Sequence, residues 1–216
     1  MKGTNSHIKK GFTLVELLVV LVLMSLLTLV FLVRQQKFDS STIMRSLAYS
    51  IALSLRQAQV YGISVRPTAP GSANFATSHG LFFQKSTSTS YLLFADQDGN
   101  NKFLGDPIEK TFALGGNFTI SEFCAIYYSG ATQVRRCSGA DDSGGGSGTL
   151  SMLNIIFVRP NPDAQIYPLD ASYNPIAGDP PYTYAYIQIK AIDGATRGIH
   201  IWATGQISVD SLGDAI

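Results

Sequence analysis

Four groups of residues in this chain have types and spacings that could do chemistry. Asp96, Asp98 and Asn100 alternate in "DQDGNNKFLGD", and alternate oxygen ligands are how a calcium loop begins. The pattern then fails, because Asn101 and Pro107 stand where an EF-hand needs Gly and Glu. Asp106 would be an extra ligand, but a turn made of Asp, Asn and Gly accounts for the same residues without an ion. No metal is expected. Cys124 and Cys137 bracket twelve residues in "CAIYYSGATQVRRC", with a Ser-Gly turn signal midway. A hairpin would bring them together, giving a disulfide worth about 3 kcal/mol in an oxidising compartment or two buried thiols in a reducing one. There is no CxxC or Cys/His cluster, so zinc is not expected. His7, His79 and His200 are scattered and no GxSxG, HExxH or Walker motif accompanies them. Neither an enzyme nor a cofactor is expected. The fourth candidate is Glu16, an acid inside the apolar run "FTLVELLVVLVLMSLLTLVFLV". A charge near a membrane centre costs on the order of 2.5 to 3.5 kcal/mol on insertion scales, so an inert anchor has no use for it.

The elements that must position these residues can be read from periodicity. Phe12 to Val33 carries a single charge over 22 residues, and at about 1.5 Å per residue it spans about 33 Å, enough for a bilayer core of roughly 30 Å. A transmembrane helix over 12–33 is expected. Lys2, Lys9 and Lys10 precede it while Arg34 and Lys37 follow, a small bias toward a cytoplasmic N-terminus. The run is too long for an ordinary cleaved signal, and "VRQQKFD" after it offers no small-x-small site. No Gly or Pro falls between Phe12 and Tyr61, so the helix can continue as an amphipathic half over 34–62. Its apolar stripe is Ile43, Leu47, Ile51, Leu55 and Ala58. Gly62 reads as its C-terminal stop and Pro67 as a bar to continuation. "DSST" at 39–42 leaves open whether this is one helix or two nearly collinear ones.

Residues 63–216 change to short β-type runs between turn clusters. "GLFFQK" and "SYLLFAD" read as a hairpin around "STST", and two more runs flank Gly115-Gly116. "TLSMLNIIFVRP" follows the Gly-rich 143–148 segment and is ended by Pro160 and Pro162. A closing hairpin turns at Asp193-Gly194, with Ile187 and Ile189 on one face and Gln188 and Lys190 on the other. The fold class is therefore α+β, a long N-terminal helix packed on an antiparallel β domain. Tyr182, Tyr184, Tyr186 and Trp202 either form a recognition surface or cover the sheet. The net charge is +1 and only 14% of residues are charged, which argues against binding nucleic acid through bulk charge. Arg135 and Arg136 are too few to change that and are expected on a solvated loop.

"KKGFTLVELLVVL" resembles the N-terminus of type IV prepilins and type II secretion pseudopilins: a short basic leader ending in Gly11, then Phe12, Thr13, Leu14, Val15 and the glutamate at mature position five, Glu16. The resemblance implies a cytoplasmic leader over 1–11, cleavage between Gly11 and Phe12 by a membrane aspartic peptidase, and methylation of the new Phe12 amine. It implies the pilin fold, with 12–33 as filament core and 63–216 as an extracytoplasmic head anchored at the bacterial inner membrane. It also implies that Glu16 neutralises the N-terminal amine of a neighbouring subunit. The partners implied are other pilin subunits, the prepilin peptidase and methyltransferase, and the inner-membrane platform with its assembly ATPase. "SLRQAQVYGISVR", "LLFADQDGNNKF" and "RGIHIWATGQISV" look most like H-type minor pseudopilins and related fimbrial minor pilins. "FVRPNPDAQIYPLDASYNPIAGDPPYTY" is an elaboration with no assignment in the general pattern. The alternative from another class is a tethered binding or adhesin domain that never polymerises.

Overall fold

The computed structural model describes residues 11–64, 77–139, 150–176 and 180–210, with the side chains of 33–40 excepted. Residues 1–10, His7 among them, together with Pro67 and the Gly-rich 143–148 segment, lie outside the described residues. The chain divides into two compact units, Met1–Ser40 and Ser41–Ile216. One helix, α1 (Leu14–Ile63), contributes to both. The DSST sequence does not interrupt its helical assignment.

Among the described residues of the larger unit, ten strands follow the helix: β1 (Ser78–Gln84), β2 (Ser90–Asp96), β3 (Ile108–Ala113), β4 (Phe118–Ser129), β5 (Thr132–Cys137), β6 (Met152–Phe157), β7 (Ala164–Leu169), β8 (Tyr184–Ala191), β9 (Thr196–Trp202) and β10 (Ile207–Val209). They form two antiparallel sheets, ordered β3-β2-β1-β6-β7 and β10-β9-β8-β4-β5. The hairpins read from sequence are present, with Leu81 opposite Leu93 and Lys190 opposite Thr196. Gly115 and Gly116 both have positive φ, 68° and 55°, and in this left-handed conformation they carry the chain from β3 in the first sheet to β4 in the second.

A single core lies where the helix and the inner faces of both sheets meet. Met44, Ala48, Ile51, Leu55 and Ala58 join Leu81, Phe83, Leu153 and Ile155 of the first sheet and Phe123, Ile187, Ile189 and Ile201 of the second. The buried stripe differs from the expected one at its start, since Ile43 is 49% exposed and Met44 is 1% exposed. Successive steps of four residues advance 40° beyond a full turn, so the 43–47–51–55 series drifts off the contact line. Met44–Ala48–Ile51–Leu55–Ala58 alternates steps of four and three and stays on it.

Each sheet also buries apolar residues on its second face. Phe82, Phe94, Met152, Ile156 and Leu169 form one outer cluster, with Phe103 and Tyr167 packed against it. Cys124, Ile126, Cys137, Tyr184 and Tyr186 form the other, with Trp202 against it. Burial on both sides is why β1 and β6 show no alternation of buried and exposed residues.

Two contacts fix the end of the helix. Gln59 donates from Nε2 to the carbonyls of Pro162 (2.7 Å) and Gly205 (3.2 Å) and accepts from Arg56 at Oε1 (2.8 Å). Gly62 is not the expected stop, because the helix passes it and ends at Ile63. A Cβ at Gly62 would lie 2.3 Å from the carbonyl oxygen of Phe157, so glycine is needed there for the helix to approach β6.

The unassigned elaboration contains a strand. β7 pairs with β6 along its whole length and holds Pro168 opposite Leu153. As the last strand of its sheet it has no full strand on its outer side, where only the Leu169–Pro175 bridge and the Ile176 N–H to the Pro168 carbonyl meet it, the setting in which a proline's missing N–H does no harm. Arg135 and Arg136 are a second correction, since both lie on β5, opposite Ile126 and Ala125, and Arg136 is buried. The β4–β5 ladder runs unbroken from Ser129–Thr132 to Cys124–Cys137, and this extends the strand through both arginines.

Candidate functional site

The described side chains of the smaller unit, residues 11–32, form an exposed apolar segment with a defined beginning. Gly11, Phe12 and Thr13 precede the helix and have no regular structure. The Thr13 hydroxyl accepts the Glu16 N–H at 3.3 Å, and the Thr13 carbonyl accepts the Leu17 N–H at 3.2 Å. Thr13 is therefore the N-cap, and Glu16 lies in the first turn. Leu14–Leu32 has a mean hydropathy of 2.8, and every residue from 11 to 32 is exposed. Ser25 and Thr28 turn their hydroxyls back onto the carbonyls of Val22 (2.8 Å) and Met24 (2.7 Å), which removes their polarity from the surface of the rod. Glu16 has no such internal partner: among the described residues no donor is bonded to its carboxylate. The segment thus presents one unsatisfied acid on an otherwise greasy surface.

Gly11 is informative in the opposite way to Gly62. A Cβ at Gly11 would meet nothing within 4 Å. Nothing within the described chain requires glycine there.

Residues 7–32 match the family model described as the prokaryotic N-terminal methylation motif. This motif supports a relation to the type IV pilin and pseudopilin family. No curated protein and no solved structure matches the chain. The pilin motif is that of subunits processed by prepilin peptidase and assembled with other pilins, and with the apolar helix it indicates membrane anchoring. The long helix followed by two antiparallel sheets agrees with the α+β pilin fold. The match lies in the N-terminal segment and does not single out the H-type subtype.

The other candidate residues lie in the head. Cys124 and Cys137 are directly opposed across β4 and β5 and joined by a disulfide. Tyr184 and Tyr186 are buried beside it and Trp202 is half-buried, so these rings cover the second sheet. Tyr182 packs edge-on against Tyr127. His79 and His200 lie in different sheets and each meets a carboxylate missed in the sequence: His79 Nε2 is 3.3 Å from Glu109, and His200 Nε2 is 3.0 Å from Asp210 Oδ2. The pairs span 30 and 10 residues of sequence, and no local spacing announces them. Thr13 was readable only as part of the resemblance, although Thr-x-x-Glu is a capping-box spacing in its own right.

Asp96, Asp98 and Asp106 do converge, with carboxylate oxygens within 4.8 Å of one another. Each of the six oxygens already accepts an N–H from the loop: Gly99 and Asn101 on Asp96, the backbone and side chain of Asn100 on Asp98, and Gln97 and Leu104 on Asp106. Asn154 ties the same loop to β6 by accepting the Phe103 N–H at 3.2 Å. Burial, helped by the neighbouring Asp98 and Asp106 carboxylates, pushes the Asp96 carboxyl up to about 6. The unfolded value is about 3.9, so the native loop holds this proton more tightly. Its stabilisation is complete below about pH 4 and is lost as pH rises through about 6. Amide exchange in residues 97–106 should accordingly be faster at pH 7 than at pH 5 after correction for intrinsic rates, and Asp96→Asn should flatten that difference. A loop equally protected at both pH values would contradict the assignment.

Proposed function

We propose that this chain is a structural subunit, of the minor kind, in a type IV pilus or a type II secretion pseudopilus. It is cut between Gly11 and Phe12, methylated on the new Phe12 amine, and assembled through residues 12–33. The observation that carries the reading is the prepilin motif over residues 7–32 placed at the start of an exposed apolar helix whose one charge, Glu16, has no internal partner. A buried charge is tolerated when paired and costly when alone, and the freed amine of an adjacent subunit supplies the pair. Gly11, which nothing in the described chain requires, fits a residue kept for the peptidase. The disulfide supports a head outside the cytoplasm, since such bonds persist in oxidising compartments. The minor role rests on the likeness of the later motifs to H-type pseudopilins. The partners that follow are other pilins, the peptidase, and the inner-membrane platform with its ATPase.

Purification from host membranes and mass spectrometry of the N-terminus test this directly. The expected chain begins at methylated Phe12. A chain that begins at Met1 and is missing from sheared filaments would overturn the reading in favour of a tethered domain that never polymerises.

A further inference from the structure

We propose that Thr13 keeps the Gly11–Phe12 bond outside the helix and so holds it ready for the peptidase; the inference rests on the processing reading above. In an uncapped helix the Glu16 N–H would bond the carbonyl four residues back, that of Phe12. Here it bonds the Thr13 hydroxyl instead, and the first carbonyl in the helical ladder is that of Thr13. The substitution of a side-chain oxygen for a backbone one starts the helix at Leu14, two residues after the scissile bond, and Gly11 and Phe12 stay non-helical. Proteins that recognise peptide backbone commonly take it extended, and a bond held in a helical turn must be unwound first. Thr13 is thus a positioning residue for the cleavage.

The setting strengthens the effect. Where water is scarce an unsatisfied N–H is expensive, so loss of the hydroxyl leaves Glu16 one nearby acceptor, the Phe12 carbonyl. Taking it would draw Phe12 into the first turn. Glu16 stands three residues after Thr13, the capping-box spacing, and an acid in a first turn also favours a helix beginning there.

The test uses the full chain in membranes with an active prepilin peptidase, following leader removal by intact mass. Thr13→Val keeps the branched shape and removes the hydroxyl. It should slow cleavage about two- to thirtyfold, the range expected for loss of an N-cap, while Thr13→Ser cleaves at the wild-type rate. Resistance to carbonate extraction should be equal for all three, which separates processing from insertion. In detergent micelles the Phe12 carbon shifts should be non-helical in the uncut wild type and helical in Thr13→Val. Equal cleavage of wild type and Thr13→Val, or a Thr13→Ser chain as slow as Thr13→Val, would overturn the proposal. An uncut wild type would instead overturn the processing reading beneath it.

Discussion

Glu16→Val should insert into the membrane as well as the wild type and yet be depleted from filaments by about a hundredfold or more. Removing one partner of a buried ion pair costs about 3 to 5 kcal/mol, and each 1.4 kcal/mol is a factor of ten. The loss falls on assembly because the carboxylate has no bonded donor within its own described chain. Valine in place of the acid removes the cost of burying charge in lipid, so anchoring is unharmed, but on the proposed pairing it would leave a neighbouring subunit's amine alone in the apolar bundle. Glu16→Gln keeps a polar acceptor without the charge and should fall between the two. Comparing the sheared-filament and membrane fractions by immunoblot gives the ratio. Undiminished incorporation of Glu16→Val would remove the pairing account.

Gly62→Ala should lower the stability of the head by about 2 kcal/mol or more, against the direction that helix propensity alone predicts. Alanine in a helix interior is favoured over glycine by about 1 kcal/mol, and an exposed site would gain that. At Gly62 the added Cβ would stand 2.3 Å from a backbone oxygen of β6 and 2.8 Å from the Phe157 Cβ. Neither belongs to a flexible side-chain end that could step aside. Overpacking of a filled site costs about 1 to 3 kcal/mol, and here the strand or the helix must shift. A lower midpoint in thermal or denaturant unfolding is the expected result. A higher midpoint would mean that the helix does not approach β6 this closely.

The helix was legible because it is a local pattern: an uninterrupted apolar run with a helical period after it. The hairpins at 84–90 and 191–196 were legible for the same reason, their turns being short and their partners adjacent. The division into two sheets was not. β1 and β6 are buried on both faces, so no alternation marks an inner side, and the crossing at Gly115-Gly116 looks in sequence like any other turn. β7 was hidden by Pro168, which argues against a strand unless the strand is known to be at an edge. Gly62 looked like punctuation because a glycine near a helix end has two meanings, and only the neighbour at Phe157 separates them. The two histidine–carboxylate pairs depend on tertiary folding alone.

Gln59 has a mechanical consequence. It ties the helix at once to the loop between β6 and β7 and to the turn between β9 and β10, one belonging to each sheet. A force pulling the 41–63 segment along its axis therefore loads both sheets in parallel and must shear the Met44-to-Ala58 ridge across them together. The head is built to resist sliding as a unit, because the helix cannot be unzipped from one sheet while the other still holds it.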